Sequence, residues 1–351
     1  FDEGRPEVTK FFSQYGSMTS VINGLNVPSV AHGGCTQRLM TGFRDHSKPD
    51  IGAIVGHEVG QNVPMPYLDI GGTARPGRLG ADMGYLGKRN QLGGLVFRSE
   101  AIEPPDSSTW HRHDPSETEF ARIRAYVTAR AKNMDQERIA AGSNARRHSS
   151  FLLGLERGQA LRAHEDFFAN IGSGRLFADQ ARVTVEALSA GVCRSVFLVT
   201  DGNFDTHTKN EEQAELYNST FAELSALMAR LESASGHDGG RLIDETVVLV
   251  ASEMGRTPRL NGQQGKDHWP ITSCMLTGAG IRGSQILGGT DEGLGAKAMD
   301  LTTGWDFRKA DHRNKAWEYV KRVRPRLVIG SPMCTMFSRL QGLTPWNKDK
   351  Q

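Results

Sequence analysis

The chain of 351 residues is long enough to bury a sizeable core, as one large α/β domain or two smaller ones. Its apolar share of 38% and charged share of 23% are ordinary for a globular protein, and a net charge of +2 gives no general attraction to nucleic acid or anionic surfaces. No stretch approaches the roughly 18 apolar residues of a spanning helix, and the opening FDEGRPEVTKFF lacks the basic-then-apolar pattern of a signal peptide.

In chain order, MTSVINGLNVPSV (18–30) reads as a strand and its exit. TQRLMTG (36–42) and DIGAIVGHEVG (50–60) read as helical pieces with glycine stops, and YLDIGG (67–72) as a second, short strand. Residues 73–115, rich in Gly, Pro, Arg and Asp, read as an irregular excursion of the kind that forms a lid or cap. The segment SETEFARIRAYVTARAKNMDQERIAA then opens with an N-cap serine and an acidic first turn, and Phe120, Ile123, Tyr126 and Val127 recur at helical spacing. SSFLLGLERGQALRAHEDFF continues as a second helix and LFADQARVTVEALSAG as a third, stopped by Gly191. RSVFLVTDG (194–202) is a strand, and 210–233 a long amphipathic helix. ETVVLVAS (245–252) and SCMLTGAG (273–280) are the next two strands.

Apolar strands alternating with helices predict an α/β fold: a mostly parallel sheet with helices on both faces. The strands at 194–200, 245–251 and 273–278 are expected to be neighbours in it. From about 301 onward the chain turns more basic and predicts its own helix–strand–helix extension, RNKAWEYVKRV, RLVIGSP and CTMFSRLQG. The domain reading is therefore 1–300 and 301–351. The cysteines, Cys35, Cys193, Cys274 and Cys334, lie far apart with no C-x-x-C pair, which argues against a zinc ribbon or a disulfide framework.

In parallel sheets ligands bind beyond the carboxyl ends of the strands, and two predicted strands end in polar clusters there. After the first come Asp205 and His207 in DGNFDTH; after the second come Glu253, Arg256, Asp267 and His268 in SEMGRTPRLNGQQGKDHWP. Asp and His together suit zinc, manganese or iron better than calcium, which prefers oxygen ligands. Asp205, His207, Glu253 and His268 are the expected ligands of a divalent metal, zinc or manganese, within one pocket. Asp201 is a candidate partner to orient one of the histidines. Arg256 is a candidate for binding an anionic substrate or transition state.

These motifs carry a resemblance. SVFLVTDGNFDTH, VVLVASEMGRTPRLNGQQGKDHWP and MLTGAGIRGSQILGGTDEGL resemble, in this order, segments of the domain-of-unknown-function 1501 family, as do SVAHGGCTQRLMTG and PDIGAIVGHEVGQNVPMPYLDIGG. The resemblance covers about residues 10–300. That family is similar to the alkaline phosphatase and sulfatase superfamily, which implies an α/β sheet with metal ligands at strand ends and a nucleophile at a helix N-terminus. HGGCTQRLMTG resembles the nucleophile-helix region, with His32, Cys35 and Thr36 as candidates. The superfamily's Asp-His pair is Glu253-Met254 here. Its first strand and the family's export signal are not read in this chain, so an N-terminally incomplete fold is expected, with 18–27 left unpaired on one side or paired with something unexpected. The resemblance also implies a periplasmic or exported setting.

RPRLVIGSPMCTMFSRLQ is similar to the segment of DNA cytosine methyltransferases that presents a nucleophilic cysteine, which would be Cys334. The expected function is therefore a metal-dependent hydrolase of phosphate or sulfate esters, acting on a small-molecule or carbohydrate ester. The alternatives are a non-catalytic binding protein that retains the fold, and a methyltransferase-like fragment. No nucleic-acid partner is expected, and nothing in the pattern sets an oligomeric state.

Overall fold

The computed structural model describes residues 4–86, 116–133, 143–164, 176–237, 239–290, 293 and 309–323. In chain order it places α1 (Pro6–Tyr15), β1 (Thr19–Asn26), α2 (His32–Thr41), α3 (Ile51–Val59), β2 (Tyr67–Asp69), β3 (Met83–Tyr85), α4 (Glu117–Lys132), α5 (Ser143–Arg162) and α6 (Phe177–Ser189). There follow β4 (Ser195–Phe197), α7 (Glu212–Ser233), β5 (Val247–Ala251), β6 (Gly255–Arg256), β7 (His268–Trp269), β8 (Ile271–Gly278), β9 (Gln285–Gly288) and α8 (Ala310–Val323). The chain divides into two units, Phe1–Lys297 and Ala298–Gln351, and α8 is the described part of the second. No described helix is long and apolar enough to cross a membrane.

Local chemistry accounts for the helix ends. Pro6 starts α1, where its missing N–H would have no helical partner anyway. Asp50 caps α3 by accepting from the Ala53 N–H at 2.7 Å, and Ser116 and Glu119 form a reciprocal capping box on α4. Gly42 closes α2 in the left-handed region at φ 75, a conformation that costs glycine nothing. Along α7, Leu224, Leu227, Met228 and Leu231 recur at helical spacing and are all buried.

The first unit holds a mixed α/β arrangement. One sheet runs β5-β8-β1-β9: β8 pairs antiparallel with both β5 and β1, and β1 pairs parallel with β9. A second sheet runs β3-β2-β4, all parallel. Two expectations are corrected here, and one open alternative is resolved. β4 is hydrogen-bonded into the second sheet, so the strands at 194–200, 245–251 and 273–278 do not share one sheet, and β5 and β8 run antiparallel. β1 has partners on both sides rather than an unpaired edge. The excursion expected at 73–115 contains β3, which pairs with β2; residues 87–115 lie outside the described residues.

Helices cover both faces of the three-stranded sheet. Tyr67 packs with Ala53 of α3 on one side, while Leu68 meets Leu161 of α5 and Val183 of α6 on the other. The four-stranded sheet turns Val21, Val248, Val250 and Met275 toward the cluster of Phe11, Leu227 and Met228 from α1 and α7. Its opposite side leaves Val247 and Leu249 exposed. Leu188 and Leu198 pack against both clusters and make the core of the unit continuous. Full burial of a side chain such as Leu68 or Leu227 contributes about 1.5–3 kcal/mol. β1 changes register between Asn23 and Leu25, and Gly24 stands at φ 78 in that bulge, where an added Cβ would lie 2.5 Å from the Gly289 carbonyl oxygen.

One buried ion pair ties α5 to the segment before β3. Arg157 Nη1 donates to Asp82 Oδ1 at 2.7 Å, and His57 Nδ1 lies 2.6 Å from Oδ2. Burial alone would push the Asp82 carboxyl up, but its bonds to Arg157 and His57 prevail and hold it below its ordinary value. A carboxyl lowered in the folded state stabilises the fold above its unfolded pKa and loses that contribution as pH falls through the lowered value. Asp82→Ala leaves the buried Arg157 without its counter-charge and is expected to cost about 3–5 kcal/mol in denaturant unfolding. The same variant should flatten the acid limb of the stability profile.

Candidate metal centre

Three chain segments meet at the site. The first leaves β1 and enters α2, whose first residue is His32. The second leaves β4 and runs through 201–207 without regular structure. The third is the β6–β7 hairpin, in which Arg256 and His268 are directly opposite. Opposed residues of an antiparallel pair project from the same face, so these two side chains address one target.

Backbone bonds lock the segments together. Val27 N–H donates to the Pro270 carbonyl at 2.7 Å, which fixes the exit of β1 against the hairpin. The long hairpin loop closes on itself: Asn261 Oδ1 accepts from the N–H groups of Gln263 and Gly265 at 2.9 and 3.0 Å. It then docks on the second segment, where Lys266 N–H donates to the Thr206 carbonyl at 3.1 Å and Asn261 Nδ2 to the His207 carbonyl at 2.9 Å. Gly265 passes so close to the His207 carbonyl that any side chain there would collide with it.

Asp205 stands at the centre. Its Oδ2 is 3.2 Å from His32 Nε2, and its Oδ1 is 3.1 Å from both His207 Nε2 and His268 Nε2. The two ε nitrogens of His207 and His268 are themselves 3.0 Å apart. His32, Asp205 and His268 each offer an atom within 4.8 Å of the others, and His207 Nε2 adjoins Asp205 and His268.

Each imidazole is held from behind. His32 Nδ1 meets Glu253 Oε1 at 2.7 Å, His207 Nδ1 meets Asp267 Oδ1 at 3.0 Å, and His268 Nδ1 meets the Val30 carbonyl at 2.6 Å. A carboxylate or carbonyl oxygen only accepts, so each δ nitrogen carries the hydrogen. The ε nitrogens of the neutral rings then turn lone pairs toward one another and toward a carboxylate. Positive charge relieves that arrangement: the Arg256 guanidinium supplies it at Asp205, and a proton or a metal cation would supply it between the rings. Ligand bonds of 2.0–2.1 Å in a tetrahedron place neighbouring donors about 3.3 Å apart, close to the spacings in this cluster. The donor set therefore fits a borderline divalent cation.

The electrostatics agree. Burial would push the Asp205 carboxyl up, but the Arg256 guanidinium, with which it forms a close ion pair, and His268, which donates to it from Nε2 once that ring takes up a second proton, hold it well below the usual carboxylate range. The Glu253 carboxylate on its Nδ1 raises the His32 pKa; burial opposes this and Asp205 adds to it. His207 and Asn261 hold the Asp267 carboxyl below its ordinary value.

The structure brings Asp205, His207 and His268 to one point, together with His32, which the sequence placed among the nucleophile candidates. Glu253, expected as a direct ligand, bonds instead to the back of His32. Arg256 contacts Asp205 through Nη2 and the Lys266 carbonyl through Nη1. Asp201 orients no histidine: both its oxygens accept from the Phe177 N–H, at 3.0 and 3.1 Å, capping α6. Cys35 is fully buried beside Val27 and Met254, with Sγ donating to the Ser29 carbonyl, and Thr36 is half-buried on α2. Cys334 lies outside the described residues. Sequence reasoning did not find the Val30 carbonyl, because a backbone acceptor has no signature in residue type.

The fold is mixed α/β, and His32, Asp205 and His268 form a set that could hold a metal ion. The chain belongs to the family described as "Protein of unknown function (DUF1501)", which matches residues 6–307. No curated protein and no solved structure matches it.

A raised His32 pKa makes a definite statement about pH. In the metal-free protein its contribution to stability is present below the unfolded value of about 6.5 and is lost as pH rises through the raised folded value. Cation binding, which needs the neutral ring, should strengthen over the same interval. Nuclear magnetic resonance titration of the imidazole is expected to show the His32 pKa fall in Glu253→Gln.

Proposed function

We propose that this protein is a metal-dependent hydrolase of phosphate or sulfate esters, built on an alkaline-phosphatase-like scaffold and taking zinc or manganese. The observation that carries the reading is the set of three imidazoles, each held at Nδ1 by an acceptor, with their ε nitrogens gathered around Asp205. His32, Asp205, His207 and His268 would hold the cation. The cation would supply Lewis-acid stabilisation of charge developing on the ester oxygens.

The protein's own groups do the rest. Glu253, Asp267 and the Val30 carbonyl fix the ring orientations, and their bonds make each ε nitrogen a better donor. α2 begins at His32 with Ala31 as its N-cap and no side-chain cap, so its first-turn N–H groups border the cluster. The space over Gly33 is open. Uncapped N–H groups at a helix N-terminus suit the anionic oxygens of a phosphate or sulfate group. A charged ester is therefore favoured over a neutral one. Cys35, buried and bonded to Ser29, is not placed to attack, so the reading assigns the nucleophile to water.

That same burial of Cys35 favours a second reading, a binding protein that uses the cation to hold an anionic ligand without turnover. Zinc calorimetry beside hydrolysis of nitrophenyl phosphate and nitrophenyl sulfate separates the two. Stoichiometric zinc with turnover supports the hydrolase. Stoichiometric zinc with no turnover of either ester supports the binding protein. A folded chain that takes up neither zinc nor manganese refutes both.

Losing an orienting partner of a metal-bound histidine typically costs 10–100-fold in affinity or activity. Asp267→Asn and Glu253→Gln are expected to fall within about that range. Asp205→Asn and His268→Ala should lose more, in both zinc affinity and turnover. Cys334→Ser is expected to leave both unchanged.

A further inference from the structure

We propose that Arg256 and the cation compete for Asp205, so that loading the site releases the guanidinium and makes it the binding group for the anionic end of the ester. This rests on the metal-site reading above and adds to it a switch that couples the two ligands.

The geometry points there in three ways. Arg256 Nη2 bonds to Oδ1 of Asp205, the same oxygen that lies 3.1 Å from both His207 Nε2 and His268 Nε2. A cation held by those two imidazoles and that oxygen would stand about 2 Å from Oδ1 and beside the guanidinium. A guanidinium cannot shed its proton to relieve the repulsion; it can only move. In the metal-free arrangement it supplies the positive charge that the carboxylate needs, and a divalent cation makes it redundant there.

Arg256 has somewhere to remain. Its Nη1 donates to the Lys266 carbonyl at 3.1 Å, an anchor independent of Asp205. Its backbone is fixed opposite His268 in the β6–β7 ladder. Release from Asp205 therefore leaves the side chain tethered over the cluster instead of drifting into solvent. The group it then offers is a planar fork of donors, which matches two oxygens of a phosphate or sulfate. The uncapped first turn of α2 borders the same cluster through His32.

The test uses zinc and inorganic phosphate as probes on the full chain, each titrated calorimetrically. Arg256→Gln should bind zinc about tenfold more tightly than the wild type, within the usual span of coupling between two ligands. Arg256→Lys, which keeps the charge, should stay near the wild type. Without zinc, the wild type and Arg256→Gln should bind phosphate alike, because the guanidinium is engaged. With zinc loaded, the wild type should bind phosphate about tenfold more tightly than Arg256→Gln. One arm needs no metal: Asp205→Asn releases the guanidinium and should bind phosphate more tightly than the wild type, a gain absent from the Asp205→Asn/Arg256→Gln double variant. Should Arg256→Gln fail to fold, the gain in Asp205→Asn alone decides the matter, and no gain there overturns the proposal.

Zinc affinity unchanged or weakened in Arg256→Gln overturns the competition. So does a loss of phosphate binding that is equal with and without zinc. Failure of the wild type to take up zinc overturns the metal-site reading itself, which is a different result from a zinc-binding chain that ignores the arginine.

Discussion

The Asp205 carboxylate, set among three imidazoles and one guanidinium, is the constraint around which the site is arranged. A carboxylate surrounded by ring lone pairs is unfavourable unless positive charge stands beside it, and Arg256 supplies that charge in this arrangement. Each imidazole is turned so that it cannot itself donate to Asp205 without taking up a further proton, because its δ hydrogen is already committed to Glu253, Asp267 or the Val30 carbonyl. The three segments, with Glu253 just before β6, thus agree on one orientation. That agreement is what the proposed cation site rests on.

Backbone placement makes the agreement possible. The loop between β6 and β7 is long, yet Asn261 folds it onto itself and the close passage of Gly265 presses it against 206–207. His207 and His268 are brought within hydrogen-bonding distance although 61 positions separate them in sequence. The bond from Val27 to Pro270 brings α2, and with it His32, to the same edge. Core packing beneath, continuous through Leu188 and Leu198, carries the strands that these loops leave. Displacement of any one segment would therefore be felt at the cluster as a misdirected ring.

Much of the local structure is written in residue type. The capping box of Ser116 and Glu119, the left-handed glycine after α6 at Gly191, and the apolar stripe of α7 are each set by neighbours a few positions away. Strand pairing is not of that kind. An apolar run such as 247–251 is compatible with parallel or antiparallel neighbours, since burial of its side chains is the same in either. The pattern alone therefore points to a mostly parallel sheet with β4 beside β5 and β8, whereas the ladders run otherwise. β3 escapes the sequence pattern for a related reason: a three-residue strand of MGY has too little pattern to stand out from the glycine-rich stretch around it.

The sequence by itself determined which residues could carry the chemistry: the Asp205, His207 and His268 motifs, the neighbouring Glu253, Arg256 and Asp267, and the family to which they belong. Their division of labour was decided only by the tertiary structure. Glu253 and Asp267 are carboxylates no different in kind from Asp205, but they stand behind the rings while Asp205 stands in front. His32, the first residue of a distant helix, became part of the cluster, and Cys35, three positions on, was turned into the core. The reason is geometric. Ligand chemistry depends on which atoms face one another across a few ångströms, and that is set by how loops from different strands pack, information that residue spacing along the chain does not contain.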